Sequence, residues 1–430
     1  MNKIGVISLG CSKNLVDTET LLGELKSFGF EITNDRAKAE IIVINTCGFI
    51  ESAKQESIDT ILETATLKRD GVLKLLVVSG CLSERYKESL MSELPEVDLF
   101  FGVKDYPSLA LEIARLAGKT LRICAPKRIL TTPPYSAYIR IADGCDNRCA
   151  YCAIPLIRGG RVSVPMETIV NEARTLIHDG VSEITLIAQD TSAYGIDLYG
   201  KPSLSELIKR ISPLKGLKWL RILYTYPDTV DTELIDTIVS LKNVVNYLDM
   251  PIQHIDDDIL RRMNRRGSSE HIKNIIKYAK NLAHDFIIRS TVISGFPGET
   301  DAQFETLLQF ITEYRLDRLG AFTYSDEDNT PAFDFSDKVD SFVSEERFDA
   351  IMRTARAIAI EQNNKRIGSE TEVLIESVGN KYAIGRSYAE APEVDGKIYI
   401  KLNDSALKPG NFVQIKLTAV KEYDIMGELL

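Results

Sequence analysis

Six of the seven cysteines in this 430-residue chain stand where they can do metal chemistry. Three lie within eight positions, Cys145-Asp-Asn-Arg-Cys149-Ala-Tyr-Cys152, a C-x₃-C-x₂-C cluster just after an apolar run that reads as a strand. Three thiolates this close grip one metal centre and leave its fourth position open, and an open position distinguishes a reactive centre from a structural one. Zinc sites favour pairs of C-x₂-C or Cys combined with His, and no His or fourth Cys lies nearby to close this one. The spacing therefore points to a [4Fe–4S] cluster with one vacant iron.

The elements that must position these residues come next. Lys3–Leu9, Glu40–Asn45 and Leu73–Ser79 are apolar runs that predict strands. Each leads to a cysteine (Cys11, Cys47, Cys81) and then to a helical pattern, about Asn14–Gly29, a stretch through Lys68, and Glu84–Glu93. Apolar strands alternating with helices predict a parallel sheet covered on both faces. Ligands bind such sheets beyond the carboxyl ends of the strands, where all three cysteines fall. Their nearness to helix N-termini is expected to favour thiolates. Phe100-Phe101-Gly102 is expected to end a fourth strand, and Pro126–Pro134 reads as a linker.

Six further strands are expected at Ala137–Ile141, Glu183–Ala188, Trp219–Tyr224, Asn246–Ile252, Phe286–Ile293 and Arg318–Tyr324. With helices between them they predict an open (β/α)₆ barrel, its reactive loops on the C-terminal face. Ser344–Arg366 reads as a helix, and the pattern then changes to short alternating strands: Glu372–Glu376, Tyr382–Gly385, Lys397–Lys401, Phe412–Leu417 and a closing segment. These predict a small antiparallel barrel. The expected fold class is thus α/β multidomain: an N-terminal parallel α/β sheet domain (1–125), a central open barrel (135–363) and a C-terminal small β-barrel (364–430).

The length calls for more than one core. With 44% hydrophobic and 27% charged residues the composition is that of a globular protein. A net charge of −10 argues against a broad grip on nucleic acid and permits a basic protein partner. The apolar run Ile4–Leu9 before Gly-Cys is too short for a signal segment and reads as a buried strand. No stretch reaches transmembrane length. A reactive cysteine triplet suits a reducing compartment, so the expected location is the cytoplasm, with no membrane partner.

Taken together, the three modules resemble the radical S-adenosylmethionine (radical-SAM) methylthiotransferases, whose C-terminal module is a TRAM domain. The cysteine spacing carries part of the likeness, with Tyr151 as the aromatic residue before the last Cys. The rest lies in Ser8-Leu-Gly-Cys-Ser-Lys-Asn-Leu-Val-Asp17, Asn45-Thr-Cys-Gly-Phe-Ile50 and Ala391-Pro-Glu-Val-Asp-Gly396. Within the family the likeness is greatest to the branch that methylthiolates an aspartate, at its β-carbon, of small-subunit ribosomal protein twelve. The alternative branch modifies tRNA at isopentenyladenosine. The resemblance implies a radical-SAM cluster on Cys145, Cys149 and Cys152 and a second [4Fe–4S] cluster on Cys11, Cys47 and Cys81. It implies two uses of S-adenosylmethionine, as radical source and as methyl donor. A sulfur source and a reductant protein such as flavodoxin or ferredoxin are implied as well. Cys124 is left over and reads as a plain apolar residue.

By the same likeness, Ile293-Ser-Gly295-Phe-Pro-Gly298-Glu299 resembles the glycine segment that contacts S-adenosylmethionine, and Gln189-Asp190 ends the strand where its amino group is met. Tyr151 belongs with these cofactor contacts. Arg289 is open to two roles, meeting the cofactor's carboxylate or a buried ion pair. His254 is open to a structural or a catalytic role. Arg158-Gly-Gly-Arg161 is a candidate for binding a carboxylate, although Val162-Ser163-Val164 replaces the family's usual Arg-Ser-Arg. From Lys365 onward nine Lys/Arg face ten Asp/Glu, a net of −1, with acids gathered at Glu390–Asp395. RNA binding is therefore not favoured, and a basic ribosomal protein suits that acidic cluster.

Overall fold

Strands buried on both faces need mostly apolar side chains, and the first third of the chain supplies them. The computed structural model describes residues 1–69, 71–402 and 407–430. β1 (Lys3–Ser8), β2 (Glu31–Ile32), β3 (Ile41–Thr46), β4 (Leu75–Gly80) and β5 (Leu99–Phe100) form one parallel sheet in the order β2-β1-β3-β4-β5. β3 and β4 are buried at every position. β1 is half-buried rather than buried, lying between β3 and the two-residue β2. Helices α1 (Ser12–Ser27), α2 (Glu51–Arg69), α3 (Cys81–Glu93) and α4 (Tyr106–Leu116) cover the sheet. β2 and α4 were not expected from the sequence: β2 offers only two residues of pattern, and α4 follows directly on β5.

The linker is bolted to α1. The buried Glu19 carboxylate accepts from the Thr131 backbone N–H at 2.7 Å and from Arg128 Nη2 at 2.5 Å.

The central domain follows the expected course. β6 (Ser136–Arg140) leads into a hairpin of β7 (Ala142–Asp143) and β8 (Val162–Ser163), with helix α5 (Ile154–Arg158) inside it. β9 (Glu183–Ile187), β10 (Trp219–Ile222), β11 (Tyr247–Asp249), β12 (Ile287–Ser294) and β13 (Arg318–Thr323) continue it. All pair in parallel, as β6-β9-β10 and β11-β12-β13, and a Leu220–Val244 bridge joins the halves into one arc. β6 and β13 remain the two edges of an open barrel. Its outer apolar core sits between strands and helices, and a helix at Ser341–Lys365 runs on to the last module.

That module is a closed five-stranded barrel of β14 (Glu370–Val378), β15 (Tyr382–Arg386), β16 (Ile398–Lys401), β17 (Phe412–Lys421) and β18 (Asp424–Leu429), in the order β14-β15-β16-β18-β17. Four pairs are antiparallel and β16–β18 is parallel, because closing an odd number of strands leaves one pair running the same way.

The small barrel packs into the lumen of the open one. Lumen residues Tyr138, Ile187, Trp219 and Tyr247 share one apolar cluster with Leu374, Ala389 and Ala391 of the C-terminal module and Val16 of α1. Ion pairs reinforce it. Arg386 Nη2 meets Glu183 at 2.7 Å, and Glu390 is held by Arg366 and Arg318. Asp395 accepts from Tyr247 Oη at 2.6 Å. These contacts correct the expectation for Glu390–Asp395. Glu390 and Asp395 face inward to dock two domains, leaving Glu393 exposed.

Candidate active site: two cysteine trios facing one space

The first trio hangs on the loop after β7. Gly144 has φ +69°, and a Cβ there would stand 2.1 Å from the Gly160 carbonyl, so only glycine lets the chain turn this closely. The Cys145 N–H donates to Gly159 O at 3.1 Å, and the Ala150 N–H donates to Met263 O at 2.8 Å. Cys149 is buried, while Cys145 and Cys152 are partly so. Burial pushes the Cys145 thiol up to about 11 and Cys152 up to about 12, with the neighbouring thiols adding to the shift. Arg265 Nη1 lies 3.9 Å from Cys149 Sγ and Tyr226 Oη lies 3.8 Å from it. Tyr151 accepts from Arg265 at 3.0 Å and packs edge-on to Phe296, ring centroids 6.5 Å apart, beside Gly295.

The second trio stands at the carboxyl ends of β1, β3 and β4. Cys11 precedes α1 and is exposed, while Cys47 and Cys81 are buried. Gly10 is pressed against Cys47, where an added Cβ would lie 2.8 Å from its Cβ. The two buried thiols do not follow the expectation of thiolates. Burial raises Cys47, and it pushes Cys81 up to about 12, with Cys11 and Cys47 adding to the latter and Arg158 opposing it. Removing a charge from water outweighs the partial charge of a helix terminus. A bound cation would favour ionisation of Cys47 and Cys81.

Two structures connect the trios. Arg158, buried on α5, lies 3.8 Å from Cys81 Sγ through Nη2 and donates to Asn14 and Asp17 at 2.8 Å each. Its Nη1 donates to Asp143, two residues before Cys145, at 3.1 Å. Asp17 also pairs with Arg140 of β6. The second link is the segment after β10. Tyr224 Oη lies 3.2 Å from Ser12 Oγ, next to Cys11, while Tyr226 reaches Cys149. Both trios thus lie along the junction between the N-terminal domain and the C-terminal face of the open barrel.

The other expected residues divide. Gln189 donates to Asp143 at 3.2 Å and leaves its Oε1 buried without a partner. Asp190 accepts from Asn147 in the cysteine loop at 2.7 Å. Gly295 has φ +71° and its N–H donates to Glu299 at 2.7 Å; a Cβ there would lie 2.0 Å from Ser344 Oγ. Arg289 takes the ion-pair role, meeting Asp249 at 2.8 Å and Asp395 at 3.7 Å, because its place near the start of β12 turns it toward the C-terminal module. His254 is fully buried, accepts from the Asp256 N–H at Nδ1 and meets Glu299 at 3.1 Å through Nε2, a structural arrangement. Cys124 is exposed, against the expectation of a plain apolar residue, because it lies in the irregular surface stretch between α4 and the linker. Arg265, Tyr224 and Tyr226 were not anticipated. The position of the tyrosines just past a barrel strand was the one signal available.

Three family profiles match: the Uncharacterized protein family UPF0004 over residues 3–102, the Radical SAM superfamily over 139–311 and the TRAM domain over 367–430. The chain is 47% identical to "Ribosomal protein uS12 methylthiotransferase RimO" of Caldicellulosiruptor saccharolyticus, covering all of both chains. It is 43% identical to the protein of the same name from Geobacter sulfurreducens, covering 100% of this chain and 98% of the relative. The chain belongs to the RimO methylthiotransferase family. In this chain the radical-SAM barrel is combined with a cysteine-bearing N-terminal domain and a TRAM barrel. Among solved structures, the radical S-adenosylmethionine methyltransferase TsrM from Kitasatospora setae superposes with a TM-score of 0.59 at 13% identity, covering 77% of each chain. That likeness concerns the fold.

Membership in the radical-SAM superfamily implies one [4Fe–4S] cluster and S-adenosylmethionine. The first trio fits that group: three neighbouring thiols, a guanidinium and a phenol directed at one sulfur, and the orphaned Gln189 Oε1 nearby. Among the described residues no three His, Cys, Asp or Glu side chains converge on a single-ion site. Thiols spread around a multi-iron cluster need not converge in that way. Among the same residues no helix is long and apolar enough to cross a membrane.

Proposed function

We propose that the chain transfers a methylthio group to the β-carbon of an aspartate in ribosomal protein uS12. In this reading Cys145, Cys149 and Cys152 hold the radical-SAM cluster and Cys11, Cys47 and Cys81 hold a second [4Fe–4S] cluster. The observation that carries it is the pair of links, Arg158 and Tyr224–Tyr226, each touching the surroundings of both trios. Sulfur insertion needs a sulfur-bearing centre within reach of the carbon that has lost its hydrogen, and this arrangement supports that.

The bound clusters and S-adenosylmethionine supply hydrogen abstraction from an unactivated C–H bond, which no side-chain base can deprotonate. The protein supplies position and dryness. Arg265 and Arg158 place positive charge beside one sulfur of each trio, stabilising the anionic state of the thiolate ligands. Gln189 offers an acceptor, Oε1, for the ammonium group of S-adenosylmethionine, and Tyr151 and Gly295 frame the same side. Asp17, Arg140 and Arg158 on one side and Arg85 with Glu327 on the other clamp the two domains around the space and limit access of water. A second S-adenosylmethionine as methyl donor, a sulfur source and a flavodoxin- or ferredoxin-like reductant complete the reading, and the cytoplasm is the compartment that suits it.

The substrate assignment rests on the full-length relatives, since the C-terminal acids once favoured as a docking surface are largely turned inward. Reconstituted enzyme is offered uS12 and tRNA separately, with S-adenosylmethionine, sulfide and reductant. The expected result is about eight irons per chain, falling to about four in a Cys145→Ala/Cys149→Ala/Cys152→Ala variant or a Cys11→Ala/Cys47→Ala/Cys81→Ala variant. A methylthio mass gain is expected on uS12. Gain on tRNA alone would refute the substrate assignment.

A further inference from the structure

Tyr224 holds a backbone conformation that bulky residues avoid, with φ +63°. The strain is secured on both sides. Its N–H donates to Asp249 at 2.9 Å and its carbonyl accepts from the Thr191 N–H at 2.9 Å. Such strain persists where the surrounding structure imposes it, and it marks functional sites. Here it turns the ring out of the barrel strand toward the N-terminal domain, where Tyr224 Oη reaches Ser12 and the ring receives Lys13 Nζ at 3.3 Å from its centroid.

Lys13 is unusual in its charge balance. It stands two residues after Cys11, is half-buried, and makes no ion pair with a carboxylate among the described residues. Four other cations along the interface are compensated: Arg140 and Arg158 by Asp17 and Asp143, Arg85 and Lys54 by Glu327. An aromatic face orients an ammonium but does not neutralise it. Lys13 therefore presents a cation with no carboxylate partner among the described residues beside a phenol hydroxyl, whereas Arg265, another such cation, is turned onto Cys149 and Tyr151.

We propose that Lys13 and the Tyr224 hydroxyl form the subsite for the carboxylate of the substrate aspartate, holding its β-carbon between the two trios. The inference rests on the protein-substrate reading above and adds the residues that select an acidic side chain. A charge-assisted contact with a carboxylate gives selectivity for aspartate over its uncharged isostere. Tyr224 contributes a donor and fixes where the ammonium sits.

The test is a cycle on the reconstituted enzyme. Binding of uS12, and of uS12 with asparagine in place of the modified aspartate, is measured for wild type, Lys13→Met, Lys13→Arg and Tyr224→Phe, with iron content recorded for each. Wild type is expected to prefer the aspartate protein by at least about 10-fold. Lys13→Met should bind both forms alike, Lys13→Arg should recover part of the preference, and Tyr224→Phe should lose a smaller part. Iron content should stay at the wild-type level. Equal weakening of both forms by Lys13→Met, or an undiminished preference, overturns the subsite. If Lys13→Met loses iron, the Lys13→Arg preference decides, and a preference no better than that of Lys13→Met refutes the proposal. Wild-type enzyme that leaves uS12 unmodified instead refutes the substrate reading on which the subsite rests.

Discussion

Replacing Glu183 by glutamine should loosen the TRAM module from the open barrel. Glu183 is fully buried at the start of β9. It receives Arg386 at 2.7 and 3.0 Å and Ser136 at 2.9 Å, with Arg221 Nε 3.7 Å away. Burial alone would raise its pKa, but Arg386 and then Arg221 overcome burial and lower it from 4.5 to about 2. At 1.36 kcal/mol per unit, that shift corresponds to about 3 kcal/mol of folded-state preference for the carboxylate. Glutamine keeps the shape and loses the charge, leaving two buried guanidinium groups short of a counter-ion. Arg221 is already the poorer partner: burial lowers its pKa, and its Nε and Nη2 lack hydrogen bonds. The sole tryptophan, Trp219, stands at this interface with its ring edge-on to Phe412, centroids 4.9 Å apart. Urea titration followed by Trp219 emission therefore reads the docking. A loss of about 3 kcal/mol with a slope of 1–3 kcal/mol per molar should lower the midpoint by about 1–3 M. Acid should act in the same direction. The contribution is complete above pH 4.5 and disappears as pH falls toward about 2, and Glu390, also lowered to about 2, follows the same course. A Glu183→Gln protein with the wild-type midpoint and acid response would refute this account of the interface.

Arg158→Met should separate the domains near the trios, since it leaves Asp143 with Arg140 alone and removes a cation from Cys81. We expect a loss of about 3 kcal/mol in docking, seen as faster hydrogen exchange in α1, and an altered electron paramagnetic resonance signal from the second cluster proposed above. An unchanged signal would show that Arg158 only fastens the domains. On the opposite side, Glu327→Gln should leave Arg85 without its 2.6 Å partner and cost a similar amount. Faster exchange across 81–86 checks it.

Much of the candidate site was legible in the sequence because its spacing is local. A C-x₃-C-x₂-C triplet holds its thiols close whatever surrounds it, and a cysteine at the carboxyl end of each apolar strand lands at the same sheet edge once the strands pair in parallel. Alternation of strand and helix, and then of short strands alone, fixed three modules by hydrogen-bonding period and burial. Interactions across long stretches of chain were decided only by the tertiary structure. Arg158 meets residues 141 and 144 positions away, and Arg386 meets Glu183 across 203. No spacing rule reaches that far. The thiols were expected to ionise at helix ends, yet burial, a property of the packed domain, pushes Cys47 and Cys81 the other way. The acids at Glu390–Asp395 looked like a surface until docking buried most of their charge. The types of the candidate residues followed from the sequence, since bonding chemistry is local. Their burial and their partners followed from the fold, because solvation and ion pairing depend on what is brought near.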